Sequence, residues 1–279
     1  MFGTILFLHA ALTEVPHQVD DMRVVRKAYS AATESLHSGI GSGVYRQFVI
    51  QAGKPVVASD ATFKVYFDKP KYRIELKYKQ DYLGNAAKVI VFDGTSLASK
   101  YDRPAMRPLP VEAEVIATDV SPQSLLQLGF GFDPCKLPRY MFRLDIDVPS
   151  KTPSTVERKA DGAILGKVDL GFGVCSFVAS PSCGYNVSES DIRDGAFLGQ
   201  QCTAKWQRNA GVWVVSELDK KLLYRDGNGV QWHLRFDSFE PNVKVSPDLF
   251  TFASLGLPPG AGIIDRKPGG PDTRYVIPE

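Results

Sequence analysis

Thr62-Phe63-Lys64-Val65-Tyr66-Phe67 and Lys71-Tyr72-Arg73-Ile74-Glu75-Leu76-Lys77-Tyr78-Lys79 are the two segments of the chain that decide its fold. Apolar and polar residues alternate in both, which is the period of a β-strand with one buried and one wet face. Asp68-Lys69-Pro70 is a turn signal between them, so the segments are predicted to form an antiparallel hairpin. Either the protein's own helices or a hydrophobic ligand must cover its apolar face.

Strand patterns continue on both sides of this hairpin. They predict a mainly β (α+β) fold: an incomplete antiparallel β-barrel or curved sheet of about ten or more strands with a helical lid or plug. The Pro-rich segment 103–114 and the polar segment 180–195 are predicted to be irregular. The predicted strands are 44–51, 57–67, 72–79, 88–92, 96–101, 141–148, 162–171, 172–179, 203–207, 212–218, 221–225 and 230–239.

Two helices are available to cover the sheet. Residues 19–38 are predicted to form a long helix, with an apolar stripe at helical spacing and Gly39 as its terminator. Ser121-Pro122 is a helix start signal, and it predicts a short helix over 123–128 that presents Leu125 and Leu126. Glycines bound this short helix, so it is either a movable lid or a plain capping helix.

The composition excludes several classes of protein. The chain has 279 residues and a formal net charge of +2, and no run of Lys and Arg indicates nucleic-acid binding.

Residues 1–12 resemble the apolar part of a secretory signal peptide, although the charged region that normally precedes it is missing. The alternative is an ordinary apolar N-terminus. Export would place the protein in the periplasm or outside the cell, and no transmembrane segment is predicted.

Neither a catalytic nor a metal site is predicted. His9, His17, His37 and His233 have no predictable acid or nucleophile beside them in sequence. The four cysteines do not fit a zinc pattern, so no metal or cofactor is expected. Cys175 and Cys183 flank a Pro-Ser turn and are the predicted disulfide pair, with buried free thiols as the alternative.

Three motifs together resemble a known family. They are Lys69-Pro70-x-x-Arg73-Ile74-Glu75, Val91-Phe92-Asp93-Gly94-Thr95-Ser96-Leu97, and Ser246-Pro247-Asp248-Leu249-Phe250-Thr251-Phe252 followed by residues 257–266. Their order resembles the LolA/LolB-like superfamily of periplasmic carriers, which act in outer-membrane lipoprotein sorting and have an incomplete β-barrel closed by helices. The resemblance implies one half-barrel domain over residues 19–266 and a C-terminal tail over 267–279, with Phe250 and Phe252 as alternating strand residues.

The apolar strand faces are the predicted binding site. We expect an exported, non-enzymatic protein that carries or senses a lipid or lipoprotein acyl chain, or another hydrophobic ligand, in a half-barrel cavity. The alternative is a filled-core structural or protein-interaction domain of the cell envelope without a ligand. The predicted lining residues are Phe63, Val65, Phe67, Ile74, Leu76, Val89, Val91, Leu125, Leu126, Trp232, Leu234 and Phe236.

Overall fold

The computed structural model describes residues 15–102, 111–117, 155–266 and 271–278. One α-helix, α1 (Val15–Ser35), precedes all of the described strands. Among the described residues, no helix is both long enough and apolar enough to cross a membrane. The strands are β1 (Ser38–Gln51), β2 (Lys54–Asp68), β3 (Lys71–Asp81), β4 (Ala87–Phe92), β5 (Ser96–Asp102), β6 (Val111–Ala117), β7 (Thr155–Arg158), β8 (Ile164–Asp169), β9 (Val174–Ala179), β10 (Val187–Asp194), β11 (Phe197–Asn209), β12 (Val212–Leu223), β13 (Gly229–Pro241), β14 (Gly262–Arg266) and β15 (Thr273–Val276).

All fifteen strands belong to one sheet, in the order β15-β14-β6-β5-β4-β3-β2-β1-β13-β12-β11-β10-β9-β8-β7. Neighbours pair antiparallel except β14 and β6, which pair parallel. Laid flat, fifteen strands would span about 67 Å at roughly 4.8 Å per strand. Buried residues of β4, β5 and β7 nevertheless belong to one hydrophobic cluster. The sheet is therefore strongly curved, and the prediction of a mainly β fold with a curved, open sheet is confirmed.

Helix α1 packs inside the curved sheet, against β7, β8 and β12. Met22, Val25 and Ala32 of the predicted stripe are buried, and Arg158 of β7 donates to Asp21 at 2.9 Å through its Nε. The helix begins and ends earlier than predicted. The Asn242 side chain donates to the Ser35 carbonyl at 2.7 Å, so this contact, rather than Gly39, marks the end of the helix.

Several segments predicted to be irregular are strands. Residues 111–117 form β6, and residues 187–194 form β10, in which Val187, Ser190 and Ile192 are buried. The buried position of Ser190 explains why this strand lacked an apolar alternation in the sequence. Residues 212–223 form one strand rather than two. The predicted tail supplies β15, which pairs with β14, so the sheet extends beyond Arg266.

A C-terminal segment covers the outer face of β3, β4 and β5. It consists of two 3₁₀ turns, Pro247–Phe250 and Phe252–Leu255, so Phe250 and Phe252 are not strand residues as predicted. Thr251 accepts a side-chain hydrogen bond from the Ser254 backbone N–H at the start of the second turn. We call residues 247–256 the C-terminal clamp.

Two cations of the outer face hold this clamp. Arg73 donates from Nη1 to the Ser254 carbonyl at 3.1 Å and to the Ser254 hydroxyl at 2.8 Å. Its Nε donates to Glu75 at 2.7 Å. Lys100 donates to the Leu255 carbonyl at 3.0 Å. The basic outer face was predicted to be solvated, and for Arg73, which is 8% exposed, that prediction is wrong.

Candidate functional site

The inner face of the curved sheet brings together most of the predicted lining residues. The pairing register places Phe63 opposite Leu76 and Val65 opposite Ile74 across β2 and β3, and Phe67 lies farther along the same face. On β13, Leu234 lies in the same cluster, and Trp232 is half-buried against it. The lining residues that share this inner face are Phe63, Val65, Phe67, Ile74, Leu76, Trp232, Leu234 and Phe236.

One end of the inner face is filled with aromatic rings. The rings of Phe63 and Phe236 are edge-to-face with centroids 5.2 Å apart, and those of Phe236 and Phe239 are 5.0 Å apart. Glycines on β1 leave room for these rings. A Cβ atom added at Gly41 would lie 2.7 Å from the Phe236 ring, and one at Gly39 would lie 2.7 Å from the Phe67 ring. Among the described residues, this aromatic end is therefore filled by closely packed rings.

The opposite end of the inner face carries polar side chains, and two of its residues, Tyr78 and Trp232, are only half-buried. Tyr45 on β1 is 3% exposed and donates to the Gln47 side chain at 3.3 Å. Burial raises the pKa of Tyr45 and of Tyr78 well above the ordinary tyrosine range, so both hydroxyls stay protonated and can donate hydrogen bonds. Lys88 is 7% exposed, and its ammonium lies 4.8 Å from the centre of the Tyr101 ring.

Exposed apolar side chains surround this polar end. Tyr82 and Leu83, in the loop between β3 and β4, are 67% and 52% exposed. Val56, near the start of β2, is 53% exposed, and the Tyr82 backbone donates to the Ala58 carbonyl at 2.9 Å. Half-buried Tyr78 and Trp232 thus lie between a filled core and an exposed apolar surface.

Two of the predicted lining residues lie on the outer face of the sheet and not on the inner face as predicted. Val91 is buried with Ala98 of β5 and Leu255 of the C-terminal clamp, and Val89 packs against this second cluster. Their neighbour Ile90 faces the inner cluster instead. Residues 89–92 are apolar on both faces, and both faces are covered, so alternation could not assign their side. The same register places Lys88 on the inner face, which the prediction missed.

The remaining predicted lining residues, Leu125 and Leu126, lie outside the described residues, as do the predicted signal segment and Cys135. The predicted Cys175–Cys183 disulfide is not present, and both thiols are free. Cys175 lies near the start of β9 and Cys183 beyond its end. Four residue steps from Cys175 to Ala179 alone span about 13 Å, whereas a disulfide needs Cα atoms within roughly 7 Å.

A second concave surface lies on the outer face of β7 to β11. This outer cleft has a volume of about 520 Å³. Ser176, Asp191 and Gln201 face it from three successive strands, in one cross-strand row. Asp191 Oδ2 accepts from Arg193 at 2.8 Å, while its buried Oδ1 has no hydrogen-bond partner among the described residues. Glu189 and Thr203 form part of the adjacent row, which leads towards β12.

No family model and no curated protein matches the chain. Three solved structures are similar to it. A DUF1329 family protein from Desulfovibrio piger has a TM-score of 0.47 and 13% identity, covering 83% of this chain and 99% of that one. A putative outer membrane lipoprotein-sorting protein domain from Vibrio parahaemolyticus has a TM-score of 0.47 and 11% identity, covering 86% and 98%. A LolA superfamily protein from Nitrosomonas europaea has a TM-score of 0.48 and 9% identity, covering 83% and 99%. At these identities the likeness concerns the fold alone.

Proposed function

We propose that the protein is an exported, non-enzymatic binding protein that carries or senses a lipid or lipoprotein acyl chain, or another hydrophobic ligand, against the inner face of its sheet. One observation supports this most directly. The inner face runs from a filled aromatic end to an end where Tyr78 and Trp232 are only half-buried beside exposed apolar residues. A hydrophobic ligand entering at the second end would continue an existing apolar surface instead of opening a closed core.

Apolar burial would supply the affinity. Each buried methylene contributes about 0.8 kcal/mol, so about ten methylenes of an acyl chain would contribute roughly 8 kcal/mol before the entropic cost of binding. The protonated hydroxyl of half-buried Tyr78 would be able to donate a hydrogen bond to the polar group of such a ligand. One of the similar structures is described as a lipoprotein-sorting domain. We propose an envelope location, periplasmic or secreted, and a lipoprotein or another envelope protein as the partner.

A second candidate function is a structural or protein-interaction domain of the cell envelope without a ligand. The close packing of Phe63, Phe236 and Phe239 favours this candidate, because it shows that the sequence fills at least one end of its own half-barrel. The two candidates differ in whether the polar end opens to admit an apolar molecule.

Extraction separates the two candidates. The full chain is purified from cells without added detergent and extracted with organic solvent, and the extract is analysed for co-purifying lipid by mass spectrometry. The stripped protein is then titrated with a dansylated fatty acid, and energy transfer from tryptophan is measured. A carrier yields lipid in the extract and saturable transfer. A clean extract together with no transfer would remove the carrier proposal and leave the filled-core domain.

Two adjacent residues of β4 provide a matched control. Ile90 faces the inner cluster and Val91 faces the C-terminal clamp, and both are buried. Ile90→Ala and Val91→Ala each remove core contacts, so both should lower stability, by about 1 to 4 kcal/mol. Ile90 pairs with Ile74 deep on the inner face, so its truncation creates apolar space there and only Ile90→Ala should change the affinity for the dansylated fatty acid. Equal affinity changes in the two variants would show that the dye reports stability and not the inner face.

A further inference from the structure

Three potential metal ligands meet on the outer face of β12 and β13. Glu217 and Asp219 lie two residues apart on β12 and therefore share a face. His233 on β13 pairs directly opposite Asp219. One donor atom from each of the three residues lies within 4.8 Å of the other two, and His233 Nδ1 is 3.1 Å from Asp219 Oδ2. The sequence placed no acid beside His233, because only strand pairing brings Asp219 to it.

We propose that Glu217, Asp219 and His233 form a binding site for a divalent transition-metal ion, with Zn²⁺ as the expected ion. An imidazole nitrogen and two carboxylate oxygens are a donor set that suits zinc. Donor atoms of a tetrahedral zinc site lie about 3.4 Å apart, given bonds of about 2.0 to 2.1 Å. The His233–Asp219 pair, at 3.1 Å, is close to this spacing, and side-chain rotation of the partly exposed acids would bring in the third donor.

The surrounding charges permit this site. Lys205 of β11 donates to Glu217 at 2.9 Å, and this is the ion pair that a bound metal would have to replace. The Lys205 side chain is 72% exposed, so metal would displace it into solvent at little cost. Two arginines are also near, but each has a carboxylate of its own: Arg46 pairs with Asp60, and Arg235 pairs with Asp237.

The position of the site relates it to the outer cleft. Thr203, which lines the cleft, pairs with Asp219 across β11 and β12. The metal site therefore lies beside the β12 edge of the cleft. Three protein ligands leave a coordination position for water or for a ligand atom, as in zinc sites that keep an open position. This site is on the face opposite the inner surface and is independent of the ligand proposed there.

Calorimetry tests the site. The untagged full chain is freed of metal with a chelator, dialysed and titrated with ZnCl₂ in a buffer that does not bind zinc. We expect one equivalent to bind with a dissociation constant in the micromolar range. We expect His233→Ala to weaken binding by about a hundredfold or more, and Asp219→Asn by at least about tenfold. Absence of binding by the native chain would overturn the proposal.

His37→Ala is the matched control, because it removes an exposed histidine that lies outside the cluster. It should bind zinc as the native chain does. Zinc binding that survives His233→Ala unchanged would place the ion elsewhere, on a free cysteine for example, and would overturn the proposal. A second readout is the absorption spectrum of Co²⁺ bound in place of zinc, whose d–d bands report coordination by these ligands and should disappear in His233→Ala. Circular dichroism of each variant verifies that the sheet is intact.

Discussion

Replacing Arg73 by alanine should destabilise the protein far more than an exposed arginine would. The side chain is 8% exposed and joins β3 to the C-terminal clamp through the carbonyl and hydroxyl of Ser254, while its Nε is paired with Glu75. Arg73→Ala removes these charge-assisted hydrogen bonds and leaves the Ser254 carbonyl without this donor. The clamp should then separate from the outer face of β3 to β5 and expose the cluster around Val91 and Leu255.

The magnitude follows from the contacts. A hydrogen bond to a charged group contributes about 1.5 to 3 kcal/mol. Both bonds to Ser254 come from the same Nη1 atom and are counted as one, and the bond to half-exposed Glu75 is discounted for solvent screening to about 0.5 to 1 kcal/mol, which gives an expected loss of about 2 to 4 kcal/mol. For a protein of this size that corresponds to a decrease in Tm of about 5 to 15 °C. Arg73→Lys keeps the charge but loses the fork geometry, so its loss should be intermediate.

Urea denaturation followed by tryptophan fluorescence measures the free energy of unfolding. Lys77→Ala is the matched control, because Lys77 lies on the same face of β3 and is exposed, and its effect should stay within about 0.5 kcal/mol. Hydrogen exchange over residues 247–256 should accelerate in Arg73→Ala before global unfolding. A free energy of unfolding for Arg73→Ala equal to that of Lys77→Ala would refute the assignment of Arg73 as the residue that holds the clamp.

Three further outcomes are expected. Gly41→Ala places a methyl group against the Phe236 ring, at 2.7 Å, and should destabilise the protein by about 1 to 3 kcal/mol in urea; an unchanged midpoint would mean that the aromatic end is loosely packed. Burial raises the pKa of Cys175 to about 11 and of Cys202 to about 12. In a variant that keeps these two cysteines and has the other two replaced by serine, neither thiol should react with a thiol reagent at pH 8 until urea is added. Rapid labelling of the native variant would contradict their burial. The carboxyl of Asp93 is partly desolvated, which raises its pKa, but hydrogen bonds from Ser96 and Thr95 outweigh this effect and lower the pKa. The ionised carboxylate therefore stabilises the folded protein above the pKa of the unfolded state. This stabilisation is lost as the pH falls through the lower pKa of the folded state. The stability difference between native and Asp93→Ala should therefore shrink from pH 7 towards pH 3, and a constant difference would count against these hydrogen bonds.

The structure explains why two of the recognised motifs occur together. Arg73 belongs to the motif that begins at Lys69, and Leu249 to Phe252 belong to the C-terminal motif, more than 170 residues later. Arg73 donates to the Leu249 carbonyl, within the C-terminal motif, at 3.5 Å, and to Ser254 just beyond that motif. The two motifs are thus the halves of one contact, which sequence order alone could not show.

Alternation predicted the fold well wherever one strand face is buried and the other is wet. The hairpin of β2 and β3 is the best example, and its inner residues Phe63, Val65 and Ile74 are all buried. The same rule failed where this condition does not hold. In β10 the inner position of Ser190 is polar, and in β4 residues 89–92 are apolar on both faces, since the C-terminal clamp covers the outer one.

The sequence by itself determined the class of the protein: a many-stranded, mostly antiparallel sheet with an apolar helix to cover it, since period, turn residues and amphipathicity are local properties. Only the tertiary structure decided which face each apolar run occupies, because facing depends on what covers the other side. In the folded chain Val89 and Val91 lie on the outer face, Lys88 lies on the inner face, and Asp219 lies beside His233. The tertiary structure also separated the inner surface into an aromatic end that is filled and a polar end that is less completely buried, because curvature brings together strands that are distant in sequence.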